Sequence, residues 1–323
     1  MKRRFLVSAW VLTAVLAFGA LCGWAQASEP ATTGAAPPLN PLKVALLKWY
    51  GADLAAKFPV GNQPYGVAFD GANIWTANLG ANTVTKLSAA NGAVLGTFNV
   101  GSQPVGVTFD GANVWVSNSG DGTVTKLRAS DGAVLGTFTV GAAPWWMAFD
   151  GENVWVPTGI VVSKLRASDG KNLGNFTAGS DPIGAAFDGS SVWVTNYSSN
   201  TVSKLKPSDG SVLGTFNVGM EPLGIAFDGF DMWVANRGGG TVTKLKASDG
   251  TILGTFSVAG GPYGVAFDGT NIWVTGDTYT YEFQVSDGAI LGKLHIRGGT
   301  AGIAFDGANI WAGETFANSV GKF

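Results

Sequence analysis

An all-β fold, a seven-bladed β-propeller of four-stranded blades, is what the sequence predicts, on three observations. Phe-Asp-Gly recurs seven times, at Phe69, Phe109, Phe149, Phe187, Phe227, Phe267 and Phe305, with spacings of 40, 40, 38, 40, 40 and 38 residues. Six residues after each of these phenylalanines stands a tryptophan: Trp75, Trp115, Trp155, Trp193, Trp233, Trp273 and Trp311. Each repeat also holds four short runs rich in Val, Thr, Phe and Trp. Four strands in a unit of about 40 residues is the pattern of a propeller blade.

The second copy, residues 101–140, shows the elements in order. Its β-type runs are 105–110, 113–117, 123–128 and 134–140. Between them lie Asp110-Gly111, the loop 118–122 and Asp131-Gly132. Asp-Gly pairs suit the positive φ that tight hairpins require. A solenoid of such units would need polar capping repeats at both ends. This array is instead incomplete at both ends in complementary ways. The seventh copy reaches Phe323 inside its third strand, while residues 47–60 place Leu47, Phe58 and Val60 in the register of Leu127, Phe138 and Val140. An N-terminal strand is therefore expected to join the C-terminal blade, close the ring over residues 43–323 and remove the free sheet edges.

The chain start reads as an export signal. Lys2, Arg3 and Arg4 precede an apolar run, residues 5–24, and Ala25-Gln26-Ala27 offers the small residues that a signal peptidase accepts. The expectation is cleavage after Ala27 and a periplasmic or extracellular protein with no membrane attachment thereafter. An uncleaved anchor is the rival reading, because about 20 apolar residues can span a bilayer. Cys22 follows Leu21 rather than a small residue, which disfavours lipidation. Residues 28–42, rich in Ala, Thr, Gly and Pro, read as a flexible spacer. Cys22 is the single cysteine, so the exported chain would carry no disulfide. Burial must stabilise it, and 46% hydrophobic residues suffice for that. The formal charge is −2, and loss of the three cations Lys2, Arg3 and Arg4 takes it to −5, which argues against a nucleic-acid partner.

Units such as PVGVTFDGANVWVSN, PIGAAFDGSSVWVTN and PLGIAFDGFDMWVAN resemble the YVTN-type bacterial β-propeller repeats. They have a looser similarity to NHL repeats and to propellers of the virginiamycin B lyase type. The resemblance implies the fold but little about function, since this architecture serves enzymes, binding modules and scaffolds alike. The lyase type implies a histidine and a magnesium ion on the top face. The one histidine here, His295, aligns with Ser257 and Asn217 in the outermost strand, so that site is not expected to carry over.

In a propeller, the loops entering the innermost strand and those between the second and third strands share one face, the top. Comparing copies within the chain, the bottom turns are nearly identical and the top loops differ, either through function or through drift in unconstrained loops. The top loops place Tyr65, Trp145, Trp146 and Tyr263 beside Gln63, Gln103, Asp181 and Glu221, with Tyr197 and Arg237 in neighbouring loops. An apolar wall with a few polar groups suits a small ligand, a glycan or a peptide. The alternative is that these aromatics fill the mouth of the ring as core. Trp146 stands out because the other six copies have glycine there: Gly66, Gly106, Gly184, Gly224, Gly264 and Gly302. Strand alternation would set it on the opposite face from Trp145 and Met147. Blades three and six are two residues shorter than the rest, both in the loop after the second strand, which is expected to open the rim beside Trp145 and Tyr263.

Other repeated groups have structural readings. Asp70 and its equivalents, like Asp131, Asp169, Asp209, Asp249 and Asp287, precede glycine in turns. Lys126, Lys204 and Lys244 read as rim charges that block edge pairing. Asn78, Asn118, Asn196 and Asn236 read as loop-stabilising side chains. No cofactor is expected. A Ca²⁺ or Mg²⁺ site would have to draw on the non-repeated top-face acids Asp181, Glu221 and Glu314. The sequence thus leads to an exported, monomeric module that binds a ligand or protein partner on its top face. The alternative is a divalent-cation-dependent lyase or hydrolase of the virginiamycin B lyase or lactonase type.

Overall fold

The computed structural model describes residues 56–296 and 299–323. The export signal, the spacer and residues 43–55, Leu47 among them, lie outside the described residues. The strands form seven four-stranded antiparallel sheets, each a blade. Blade 1 follows β1 (Ala56–Pro59) and comprises β2 (Pro64–Phe69), β3 (Asn73–Asn78), β4 (Thr83–Ser88) and β5 (Val94–Asn99), ordered from the axis outward. Blades 2 to 6 repeat it. Blade 7 has three strands of its own, Thr300–Phe305, Ile310–Glu314 and Ser319–Lys322, and takes β1 as its fourth. Phe58 pairs with Val320 and Lys57 with Gly321. Among the described residues the closing strand is thus Ala56–Pro59, at the end of the expected segment.

Each Phe-Asp-Gly turn does more than reverse the chain. In blade 2, Asp110 Oδ1 accepts from the amides of Ala112 and Asn113, and Oδ2 accepts from the Trp115 indole at 2.8 Å. The same indole–carboxylate bond occurs in all seven blades. A buried tryptophan needs an acceptor for its N–H, and the turn aspartate supplies it. Six of the seven tryptophans are fully buried, and Trp273 alone is partly exposed.

The lysines correct a sequence expectation. Lys86, Lys126, Lys164 and Lys244 lie on third strands and are buried, not solvated at the rim. Their ammonium groups sit over the tryptophan of the same blade, 5.0–5.3 Å from the ring centroid, as do those of Lys204 and Lys322. Each then donates to a carbonyl of the next blade: Lys86 to Ala129, Lys126 to Ala167, Lys164 to Pro207, Lys204 to Ala247, Lys244 to Val285 and Lys322 to Ala89. A lysine between two blades packs its stem and satisfies its head within the protein. The asparagines also act further than their own loops, since Asn78, Asn118, Asn196 and Asn236 donate to hydroxyls of the third strand.

Around the axis the glycine ring is a steric requirement. A Cβ on Gly66, Gly106, Gly184, Gly224, Gly264 or Gly302 would collide with a backbone carbonyl oxygen of the following blade. Blade 3, with Trp146 there, solves the crowding differently. Its inner strand is reduced to Ala148–Phe149, and Trp146 makes a parallel bridge to Gly184, its amide donating to Ile183 O and its carbonyl accepting from Ala185 N.

Candidate ligand-binding site at the channel mouth

The inner strands of all seven blades surround an axial cavity of about 150 Å³, lined by Gly66, Gly184, Gly224, Gly264 and Gly302 and by apolar side chains such as Val67, Met147 and Ile225. Its one aromatic lining residue is Trp146. Above it the top loops enter through a repeated turn. Gln63, Gln103, Ala143, Asp181 and Glu221, each before proline, have φ between 49° and 59°. The left-handed region is costly for residues with a Cβ. The preceding blade holds three of these turns, with Asn318 accepting from Gln63 N, Asn82 from Gln103 N and Asn200 from Glu221 N.

The sequence-predicted aromatics converge. Tyr65 stacks on Trp146 with centroids 6.0 Å apart and planes at 27°, and meets Trp145 edge-on at 6.1 Å. Trp145 and Trp146 also meet edge-on, at 6.1 Å and 79°. This overturns the expectation that alternation sends the two tryptophans to opposite sides. Alternation presumes a pleated strand, and residues 145–147 are not in one. The indole N–H of Trp146 is buried without an acceptor.

The remaining candidates gather across blades 4 to 6. The Arg237 guanidinium lies over the Tyr263 ring, 4.8 Å from its centroid, while its Nε is buried with no partner. Burial raises the Tyr65 phenol well above its ordinary range, reinforced by Tyr263 and opposed by Arg237. Burial also raises Tyr263, with Arg237 pulling it down and Asp277 pushing it up. Tyr197 is raised by burial and by the Glu221 carboxylate beside it. All three phenols are therefore protonated donors at neutral pH. Asp277, which sequence reasoning missed, accepts from Gly261 N and adds negative charge beside Arg237. Its signal was available, because the shortened hairpin of blade 6 leaves only Asp277 and Thr278 between its second and third strands. Asp181 is held by Ser198, and Gln63 and Gln103 stand on the rim of blades 1 and 2.

Two other expectations change or hold. Glu314 is not a top-face ligand; it is fully buried and paired with Lys57 of β1, 3.1 Å away. His295 is exposed on the outermost strand of blade 6, edge-on to Tyr279 at 5.4 Å. Among the described residues no three of His, Cys, Asp and Glu are grouped to hold a metal ion.

No family model matches the chain, and neither does any curated protein sequence. Solved structures do. The chain is similar to a structure described as streptogramin B lyase, with 19% identity, a TM-score of 0.71 and coverage of 83% of this chain and 96% of that one. It is also similar to Kuenenia stuttgartiensis hydrazine synthase, with 16% identity, a TM-score of 0.71 and coverage of 84% and 97%. U3-55K matches at 14% identity with a TM-score of 0.74, covering 81% and 95%. Chains named for such different roles share only the architecture at these identities, so what they show for this chain is a β-propeller fold.

Proposed function

We propose that this propeller is a non-catalytic recognition module that works outside the cytoplasm as a monomer and takes its ligand at the top mouth of the axial channel. One observation carries the reading: Trp146 replaces an obligatory glycine, reshapes its strand to do so, and leaves a buried indole N–H without an acceptor beside Tyr65 and Trp145. Six copies show what packing alone selects at this position. An unmade buried hydrogen bond costs about 1–3 kcal/mol, a penalty a ligand acceptor would relieve. The test is a thermal-shift screen of the purified chain over Ca²⁺, Mg²⁺, sugars and peptides, because a ligand of the native state must raise the melting temperature. Trp146→Gly is expected to abolish the shift while leaving the unliganded melting temperature nearly unchanged. If Trp146 merely plugs a void, the variant loses about 3 kcal/mol or more and keeps its ligand shift, and the reading fails.

A further inference from the structure

We infer that the ligand class is carbohydrate: a neutral sugar ring laid against the Tyr65, Trp145 and Trp146 corner, its hydroxyls shared with Arg237, Glu221 and the rim glutamines. The inference rests on the recognition reading above and narrows it.

Shape comes first. Tyr65 and Trp146 are stacked nearly parallel and Trp145 stands edge-on to both, so the three rings form one apolar corner. The C–H face of a pyranose is apolar and flat enough to lie on such a surface, whose ring faces carry negative charge that attracts C–H hydrogens. The axial cavity of about 150 Å³ is smaller than the roughly 300 Å³ at which drug-sized pockets begin, which fits a single ring or chain end entering the channel.

Hydrogen-bonding capacity then separates the classes. At the mouth two buried N–H donors lack acceptors, Trp146 Nε1 and Arg237 Nε. The ligand must therefore bring acceptor oxygens. It must also suit acids, since Asp277 lies beside Arg237, Glu221 lies beside Tyr197, and Asp181 stands on the entrance loop of blade 4. A carboxylate beside Arg237 and another beside Tyr197 disfavour an anion. A quaternary ammonium would suit the rings and acids but offers nothing to the two N–H groups. A sugar hydroxyl both accepts from N–H and donates to a carboxylate, and neighbouring hydroxyls do so side by side.

A peptide is the remaining competitor, and the backbone argues against one that adds as a strand. Recognition of a peptide by strand addition draws on main-chain pairing with free N–H and C=O groups. At the entrance loops these are already used. The amides of Gln63, Gln103 and Glu221 donate to asparagines of the preceding blade. The carbonyls of Gln63, Gln103, Asp181 and Glu221 accept from Leu79, Ser119, Tyr197 and Arg237 within their own blades. What remains is a surface of side chains, the kind that reads a sugar.

The experiment screens the full chain on an array of neutral and acidic oligosaccharides. It then titrates the strongest neutral glycan by calorimetry and tryptophan fluorescence, beside tetramethylammonium and a Pro-Ala repeat peptide. Expected are saturable binding of a neutral glycan with a fluorescence change, loss of about tenfold or more in affinity in Trp145→Ala, and a similar loss in Glu221→Gln. Trp273→Phe, at the partly exposed tryptophan away from the mouth, is the folding-matched control and should bind normally. Binding of peptide or ammonium but no glycan, with the same dependence on Trp145, would overturn the carbohydrate assignment and leave the recognition site standing. Absence of mouth-dependent binding by any of these probes would overturn both.

Discussion

At Asp110 one carboxylate takes three hydrogen bonds that would otherwise go unmade: two backbone amides of its turn and the buried indole of Trp115. Burial alone would raise its pKa, but the bonds from Trp115, Ala112 and Asn113 outweigh that and hold the carboxyl below the ordinary aspartate range. Asp70, Asp188 and Asp306 are lowered by the same balance. A group whose folded pKa is depressed contributes stability that is present above its unfolded value, near 3.9, and lost as pH falls through the folded value. The melting temperature is therefore expected to hold from neutral pH down to about 4 and to drop steeply below it. Asp110→Asn should lose stability at pH 7 and show a shallower acid limb, and thermal scans from pH 7 to 2 check both. Much of this residue-level design was legible. The Asp-Gly turns and the interior tryptophans follow from residue type, but the bond between them does not, because the sequence gives no side-chain direction. The lysines were misread for a related reason. Alternation marks one face as wet only where a sheet has a wet face, and both faces of these blades are covered. The recurrence of Lys opposite Trp, as in the Trp75–Lys86 pair, was the available signal.

Among elements, the closing strand shows how one position in one blade is rewritten to specify a partner. In blade 1 a chain of side-chain hydrogen bonds crosses the sheet, diagonally from Asn78 to Thr85 and then to Thr97 opposite it. In blade 7 the equivalent positions hold Glu314, Gly321 and Lys57. Gly321 removes the middle side chain, so the Lys57 ammonium reaches across the third strand to Glu314, whose other oxygen accepts from Ser319. The complementary ends of the repeat array made the closure legible, whereas the ion pair was hidden because Glu314 looked like one more top-face acid. Removing Lys57, itself exposed, leaves the buried Glu314 carboxylate uncompensated and costs up to about 3–5 kcal/mol, while replacing the whole set by a satisfied alternative can be neutral. Lys57→Thr is thus expected to lower stability by up to that amount. The triple change Lys57→Thr, Glu314→Asn and Gly321→Thr, which restores the blade 1 pattern, should recover most of it. Denaturant melts of both variants decide the matter, and a harmless single change would dismiss the pair as a register pin.

Taken as a whole, the ring is not equally sealed. Among the described residues, buried apolar clusters occupy six seams between blades, and none occupies the seam between blades 6 and 7. Two substitutions coincide there. Glu282 stands where the other blades place lysine, Leu294 where they place the phenylalanine that rests on the tryptophan, and Trp273 is partly exposed as a result. The reason lies in the closure. Elsewhere the lysine and phenylalanine of one blade reach the hairpin between the third and fourth strands of the next: Phe98 lies against Gly132 and Lys86 donates to Ala129. Blade 7 draws its fourth strand from β1 and so presents no such hairpin to blade 6. Burial pushes the Glu282 carboxyl up, eased by Asn271 and aggravated by Asp268, so at neutral pH its charge works against the folded state. A lost hydrogen bond from a charged donor is worth roughly 1.5–3 kcal/mol, and proteins open locally where such links are fewest. Native-state hydrogen exchange is therefore expected to find the lowest opening energy in the outer strands of blade 6, Tyr279–Gln284 and Ile290–His295. Lys244→Met should create a second weak seam between blades 5 and 6, and Glu282→Gln should slow exchange at the first at pH 7 but not at pH 4. Protection that is uniform around the ring, unchanged in either variant, would show that the propeller opens only globally.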